Sequence, residues 1–320
     1  MHQKVAFVFP GQGSQYIGML NSLAKEYNSV RDVFNESSEV LGYDLWQLIQ
    51  QGPVERLNQT EFTQPALLAA GVAMWRVWQE IEELKPEILA GHSLGEYTAL
   101  VCAGALTLSE AVRLVAKRGQ LMQSTVVAGG GAMAAILGLT DKEVAEACSM
   151  ASVACGQVVQ PANFNSPGQV VIAGASDAVN NAMIIAKDKG AKKTVLLPIS
   201  VPSHCALMEP IAEQFVVELK EINWSLPKIP VLHNFDVKAH KDIRNICNAL
   251  EKQLYNPVRW VEIIQYMTNI GINVIAECGP GTVLTSLNKR IKKDLQCIAL
   301  EKDYVLLEQV LVGKVQTMVE

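Results

Sequence analysis

The chain has 320 residues, 49% of them hydrophobic, which is enough apolar material to build the core of one large domain or two. Its net charge of −5 argues against nucleic acid as the main ligand, because phosphate binding requires a basic surface. No apolar run reaches about 18 residues and residues 1–11 lack a signal-peptide pattern, so a cytoplasmic protein with no membrane association is expected.

Residues 4–9 form a β-branched and aromatic run that stops at Pro10-Gly11, which predicts a buried first strand entering a glycine loop. Residues 65–83 carry Leu68, Val72, Trp75 and Ile81 at helical spacing and predict a helix covering the sheet. Residues 88–90 are the end of another strand, running into Gly91-His92-Ser93-Leu94-Gly95. Thr107-Leu108-Ser109-Glu110 fits a capping box, and a helix of about four turns should follow to Ser124. Beyond the breaker Ala128-Gly129-Gly130-Gly131 the rhythm changes. A strand at 132–139, a helix at 141–150, a strand at 157–164, a turn at 165–168, a strand at 169–173, a helix at 177–189 and a strand at 194–199 follow. That order, β-α-β-β-α-β, is a split βαβ, ferredoxin-like unit. From residue 201 the chain alternates again: a helix at 205–219, a strand at 230–234, a helix ending at Gln253, a strand at 272–276, the turn Gly279-Pro280-Gly281, then a last helix and strand.

The expected fold class is α/β: an α/β-hydrolase-like parallel-sheet domain formed by residues 1–127 and 200–320, interrupted by a ferredoxin-like α+β subdomain at 128–199. Seven scattered cysteines with no C-x-x-C pair give no reason to expect disulfides, zinc or any other metal.

Gly91-His92-Ser93-Leu94-Gly95 matches G-x-S-x-G, the turn that exposes a nucleophilic serine between a strand and a helix. An oxyanion forming there would meet backbone N–H groups and the positive end of the following helix. Of the five histidines, His2 is terminal, His240 sits in a charged stretch, His92 adjoins the serine in the turn, and His233 reads as a satisfied strand histidine. His204 remains, where the small unit hands the chain back to the large one, facing a cleft of the kind where small molecules bind. No acidic third member stands out, which leaves a Ser-His dyad with a carbonyl orienting the imidazole. Ala111, Val115, Arg118 and Met122 share one helix face, so Arg118 is either a snorkelling side chain or a planar fork held for a carboxylate. Residues 9–15 lack the lysine of a phosphate loop but can offer an N–H to an oxyanion. The basic run at 289–293 reads as a solvated helix face.

Phe9-Pro10-Gly11-Gln12-Gly13-Ser14-Gln15, the elbow with Glu96, A-K-R-G-Q-L-M-Q, F-N-S-P-G-Q-V-V-I-A-G, V-P-S-H-C-A-L-M and Q-L-Y-N-P-V-R-W together resemble the malonyl-CoA:acyl carrier protein transacylases of type II fatty acid synthesis. The resemblance runs from Val5 to about Ile291. It implies a ping-pong transfer with Ser93 as nucleophile and His204 as base, and an oxyanion hole from the N–H groups of Gln12 and Leu94. It also implies Arg118 as receptor for the substrate carboxylate and the Gln253 carbonyl as orienter of the histidine. Met122, Gln64, Ser203 and His92 would then surround the acyl group. No cofactor is implied; the substrates are malonyl-CoA and phosphopantetheinylated acyl carrier protein, the latter a transient partner of a monomeric enzyme. A serine esterase or thioesterase, a non-catalytic acyl-binding module and a polyketide-synthase acyltransferase are the competing readings.

Overall fold

A computed structural model describes residues 4–81, 85–125, 130–199 and 201–302. The expected unit boundaries at 127/128 and 199/200, the residues Ala128 and Gly129 of the breaker, the end of the 65–83 helix, and His2 lie outside the described residues in whole or in part.

The first strand, β1 (Val5–Phe9), is buried at every position. Its side chains alternate: Val5, Phe7 and Phe9 enter one apolar cluster, Ala6 and Val8 another. A strand apolar on both faces must be covered on both, which is the condition for a central strand of a parallel sheet. That is its place. With β2 (Ile88–Gly91), β7 (Val231–Leu232), β8 (Val274–Glu277) and β9 (Gln296–Ala299) it forms an all-parallel sheet of order β7-β2-β1-β8-β9. On the Phe7 side lies the Thr60–Ile81 helix, where Trp75 and Trp78 each meet the Phe7 ring edge-on at 5.4 Å. On the other side the Trp260–Asn269 helix buries Trp260, Ile263, Ile264 and Met267.

The second sheet is antiparallel, in the order β4-β5-β3-β6, from β3 (Gly131–Leu137), β4 (Val159–Ser166), β5 (Gln169–Ala175) and β6 (Lys193–Leu196). The same alternation sorts its faces. Ala132, Ala134, Ile136, Val170 and Ile172 pack under the Asp141–Cys155 and Ser176–Asp188 helices, whereas Met133, Val171 and Ala173 turn the other way, toward Cys205. Backbone bonds between Phe164 N and Val258 O and between Val258 N and Ala162 O, both 2.9 Å, tie β4 to the segment ahead of the Trp260–Asn269 helix. This combination of a parallel sheet and a separate ferredoxin-like antiparallel sheet is the fold class expected from the sequence.

Several elements differ from expectation for identifiable reasons. The helix expected from residue 65 begins at Thr60, so Pro65 lies inside it; one missing N–H is set against the burial of apolar residues such as Leu67, Leu68, Met74 and Trp78 along the same helix. The single helix expected at 205–219 is a 3₁₀ turn, Ala206–Ile211, containing Pro210, followed by an α-helix over Ala212–Lys220. The strand expected at 230–234 stops at Leu232 because His233 and Asn234 are drawn into polar contacts. The helices Asn28–Leu41 and Trp260–Asn269 had no counterpart among the expected elements. No helix among the described residues is long and apolar enough to cross a membrane.

Two helices carry reciprocal capping boxes, Thr107 with Glu110 and Thr140 with Glu143. Thr140→Ala removes the cap of the Asp141–Cys155 helix and should lower stability by about 1 kcal/mol in chemical denaturation, with the unfolding slope unchanged.

Candidate active site

The loops leaving β1, β2 and β7 converge at the carboxyl end of the parallel sheet. Ser93 follows β2 and precedes the Gly95–Cys102 helix with φ 53°, a left-handed conformation that costs a non-glycine residue about 1–3 kcal/mol. The turn is tight enough that a Cβ on Gly91 would lie 1.8 Å from the Gly95 carbonyl carbon. Asn234, just past β7, clamps it from outside. Its Oδ1 accepts from Ser93 N at 2.7 Å and its Nδ2 donates to Gly91 O at 2.7 Å. Glu96, fully buried, completes the bracket: one oxygen accepts from His233 Nδ1 at 2.7 Å, the other from Asn234 N and Gln253 Nε2, each at 2.9 Å.

Ser93 Oγ and His204 Nε2 lie 2.7 Å apart. His204 is also left-handed, with φ 63°, and is held from behind by the end of the Ile243–Gln253 helix. Its N–H donates to Leu254 O at 3.0 Å, and its Nδ1 stands 2.7 Å from Gln253 O. A carbonyl only accepts, so Nδ1 carries the proton and Nε2 presents its lone pair to the serine. Burial, then the nearby Arg118 cation, lowers the imidazole from its ordinary 6.5 to about 3. At neutral pH the ring is therefore uncharged and able to take a proton from Ser93 Oγ.

A cavity of about 150 Å³ opens above the pair, lined from the elbow side by Gln12, His92, Ser93, Ser203 and His204, and from the antiparallel sheet by Met133 and Asn165 among others. The backbone N–H groups of Leu94 and Gln12 meet no protein acceptor among the described residues. A Cβ on Gly11 would fall 2.5 Å from His92 O, so the glycine loop reaches the elbow only because Gly11 has no side chain. His92 turns its Nε2 to Asn165 Oδ1 at 2.8 Å, joining the elbow to β4. Burial lowers its pKa, which keeps this ring neutral as well.

Arg118 is completely buried and does not line the cavity. Its Nη1 donates to Gln64 Oε1 and its Nη2 to Gln253 Oε1, both at 2.9 Å; the guanidinium lies 5.3 Å from the Tyr97 ring centre, and Nε has no partner. No carboxylate lies within salt-bridge distance among the described residues. Met122 and Gln64 also lie behind the cavity, joined by a 3.6 Å contact between Gln64 Nε2 and Met122 Sδ. His240 is away from the site, on Asp236 at 2.9 Å, and the basic residues of the 289–293 run are exposed.

Glu96, Asn234 and Asn165 were not singled out in the sequence. Glu96 had a signal, as the one charge in an otherwise apolar helix; Asn234 had only its place after a strand. Among the described residues no cluster of three or more His, Cys, Asp and Glu side chains is arranged to hold a metal.

Gly91→Ala drives a methyl group into the Gly95 backbone, so we expect it to abolish folding or the elbow. Thermal melting combined with the rate of Ser93 labelling by a serine-directed reagent would detect either.

Known proteins share this arrangement's chain and fold. A family model described as acyl transferase domain matches residues 6–313. The malonyl CoA-acyl carrier protein transacylase of Haemophilus influenzae is 56% identical over 299 residues, 93% of this chain and 95% of that protein. A crystal structure of an acyl carrier protein S-malonyltransferase from Vibrio cholerae is 56% identical, with TM-score 0.90 over 93% of this chain and 96% of its own. The structure of a type II PKS acyl-carrier protein in complex with its malonyl-transacylase has a chain that is 51% identical, with TM-score 0.94, covering 97% of this chain and all of that one. With a half-buried serine elbow facing a neutral histidine and a family match across nearly its whole length, the chain belongs to the acyl transferase family and is an acyltransferase.

Proposed function

We propose that the enzyme moves a malonyl group from malonyl-CoA to the phosphopantetheine thiol of an acyl carrier protein, through an ester on Ser93. In the first half-reaction Ser93 Oγ attacks the thioester carbonyl while His204 Nε2 takes its proton. The tetrahedral oxyanion is met by the N–H groups of Leu94 and Gln12, a contribution worth roughly 10²–10³ in rate for one such donor. Collapse breaks the C–S bond, and coenzyme A leaves with the proton held by His204. In the second half the carrier thiol attacks the ester, His204 takes the thiol proton, and Ser93 Oγ recovers a proton as it leaves.

The observation that carries the choice of acyl group is Arg118. A buried guanidinium held by two amides and an aromatic ring has no anion to match it, and an unpaired buried charge is costly. A malonyl carboxylate supplies the missing anion; acetyl does not. Because Arg118 is enclosed, one amide must yield for the carboxylate to reach it. Gln64 is the looser, since its Nε2 rests on a thioether, a weak acceptor. The cavity supports the same reading: about 150 Å³ is well below the roughly 300–1,000 Å³ of sites for drug-sized ligands, which suits a short acyl group. The names of the relatives agree, and the PKS carrier complex favours a carrier protein as acceptor. Unpaired cysteines throughout suit the reducing cytoplasm.

Mixing with malonyl-CoA should add one malonyl group to the intact protein, absent in Ser93→Ala. No adduct, or an adduct that survives Ser93→Ala, would remove the mechanism, and release of free malonate without a carrier would favour an esterase. Arg118→Ala should lower malonyl transfer to holo carrier protein roughly tenfold or more beyond its effect on acetyl transfer, the scale of a lost hydrogen bond to a charged group. Equal losses for both acyl groups would sink the carboxylate role.

A further inference from the structure

Gln253 reaches both buried charges and both left-handed residues of the site, through its side chain and its main-chain carbonyl together. Its Oε1 accepts from Arg118 Nη2 at 2.9 Å, while its Nε2 donates to Ser93 O at 2.8 Å and to Glu96 Oε2 at 2.9 Å. A guanidinium only donates, and a carbonyl and a carboxylate only accept, so the amide has one possible orientation. Its main-chain carbonyl meanwhile faces His204 Nδ1 at 2.7 Å. Gln253 is fully buried, so none of these contacts is shared with solvent.

Two features separate this amide from its counterpart at Gln64. Its Nε2 is fixed by a carbonyl and a carboxylate, whereas that of Gln64 meets only the Met122 sulfur. It also lies between opposite charges, with Arg118 on its oxygen and Glu96 on its nitrogen. Glu96 is in turn occupied by His233 and the Asn234 N–H. The amide thus bonds to both ions while keeping them apart.

We infer that the Gln253 side chain is a positioning residue that holds Arg118 beneath Ser93 as a fixed but uncancelled cation, separated from Glu96, and so sets the preference for an acyl group bearing a carboxylate. The inference rests on the reading of Arg118 as a carboxylate receptor. A glutamate in the same place would cancel the charge and would also set oxygen against Ser93 O and Glu96. A methionine would keep the shape and remove the bonds.

The test compares the wild type with Gln253→Glu and Gln253→Met, using malonyl-CoA and acetyl-CoA as donors to holo carrier protein. It also follows the rate at which a neutral organophosphorus reagent labels Ser93 as a function of pH. Labelling needs neutral His204, so it falls as pH drops through the histidine's pKa. Arg118 and His92 are the ionisable neighbours that lower that value. A carboxylate at 253 offsets Arg118, favours the imidazolium and raises it. In Gln253→Glu the acidic limb should therefore move to higher pH, and malonyl transfer should fall roughly tenfold or more beyond acetyl transfer, mainly through KM. Gln253→Met should also lose malonyl preference.

Equal losses for both donors with an unmoved limb would mean that Gln253 is only packing, and would overturn the inference. If Gln253→Glu does not fold, retention of malonyl preference by Gln253→Met overturns it instead. If the wild type forms no malonyl adduct, the proposed function falls on that result alone. The labelling limb, which involves no acyl substrate, then still tests the electrostatic half of the inference: an unmoved limb refutes the view that Gln253 keeps Arg118 uncancelled, and a shift upholds that half while the acyl preference falls with the function.

Discussion

The backbone of Ser93 is the constraint around which the rest of the site is arranged. A left-handed serine turns its Oγ away from the elbow and toward the cleft, but such a conformation persists only when its surroundings over-determine it. Here they do. Glycines at 91 and 95 permit the close turn, Asn234 pins the N–H of Ser93 and the carbonyl of Gly91, and Gln253 pins the carbonyl of Ser93. His204 is strained in the same sense and held in the same way, by two main-chain carbonyls at the end of one helix. Serine and histidine are brought to 2.7 Å by backbones that neither would adopt alone.

Around that pair the buried charges are set apart. Glu96 accepts from His233 Nδ1 on one side and from N–H donors on the other, while Arg118 meets only neutral groups, two amides and the Tyr97 ring. Leaving one cation unmatched close to a histidine has an electrostatic effect, because it disfavours imidazolium and adds to the effect of burial. An anion drawn to Arg118 would relieve both penalties together, so any such anion would also raise the basicity of His204, through that single charge. The inner face of the antiparallel sheet, with Met133 and Val171, narrows the cleft above the pair, and the His92–Asn165 bond joins that sheet to the elbow.

The elements legible in the sequence were those whose signal is local. The β1 run, the capping box at Thr107, the β-α-β-β-α-β order and the serine elbow each depend on neighbours within a few residues. Misreadings arose where tertiary contacts outvoted local rules, as when Pro65 fell inside a helix or the β7 strand ended early to deliver His233 and Asn234 to Glu96. The Trp260–Asn269 helix carried a clear i, i+3, i+4, i+7 stripe and was legible but unread.

What the sequence determined by itself is the chemistry on offer: a serine in a strained turn, few histidines, an arginine on an apolar helix face, and the alternating pattern that builds two sheets. What only the tertiary structure decided is who meets whom. His204 is 111 residues from Ser93, Gln253 is 135 from Arg118, and Asn234 is 141 from the N–H it receives. Hydrogen bonds between side chains so far apart leave no periodic trace in the chain, because either partner looks the same whether or not the other arrives. The buried amide between Arg118 and Glu96 is of this kind: in sequence a glutamine at a helix end, and in the folded protein a contact that stands between a buried cation and a buried carboxylate.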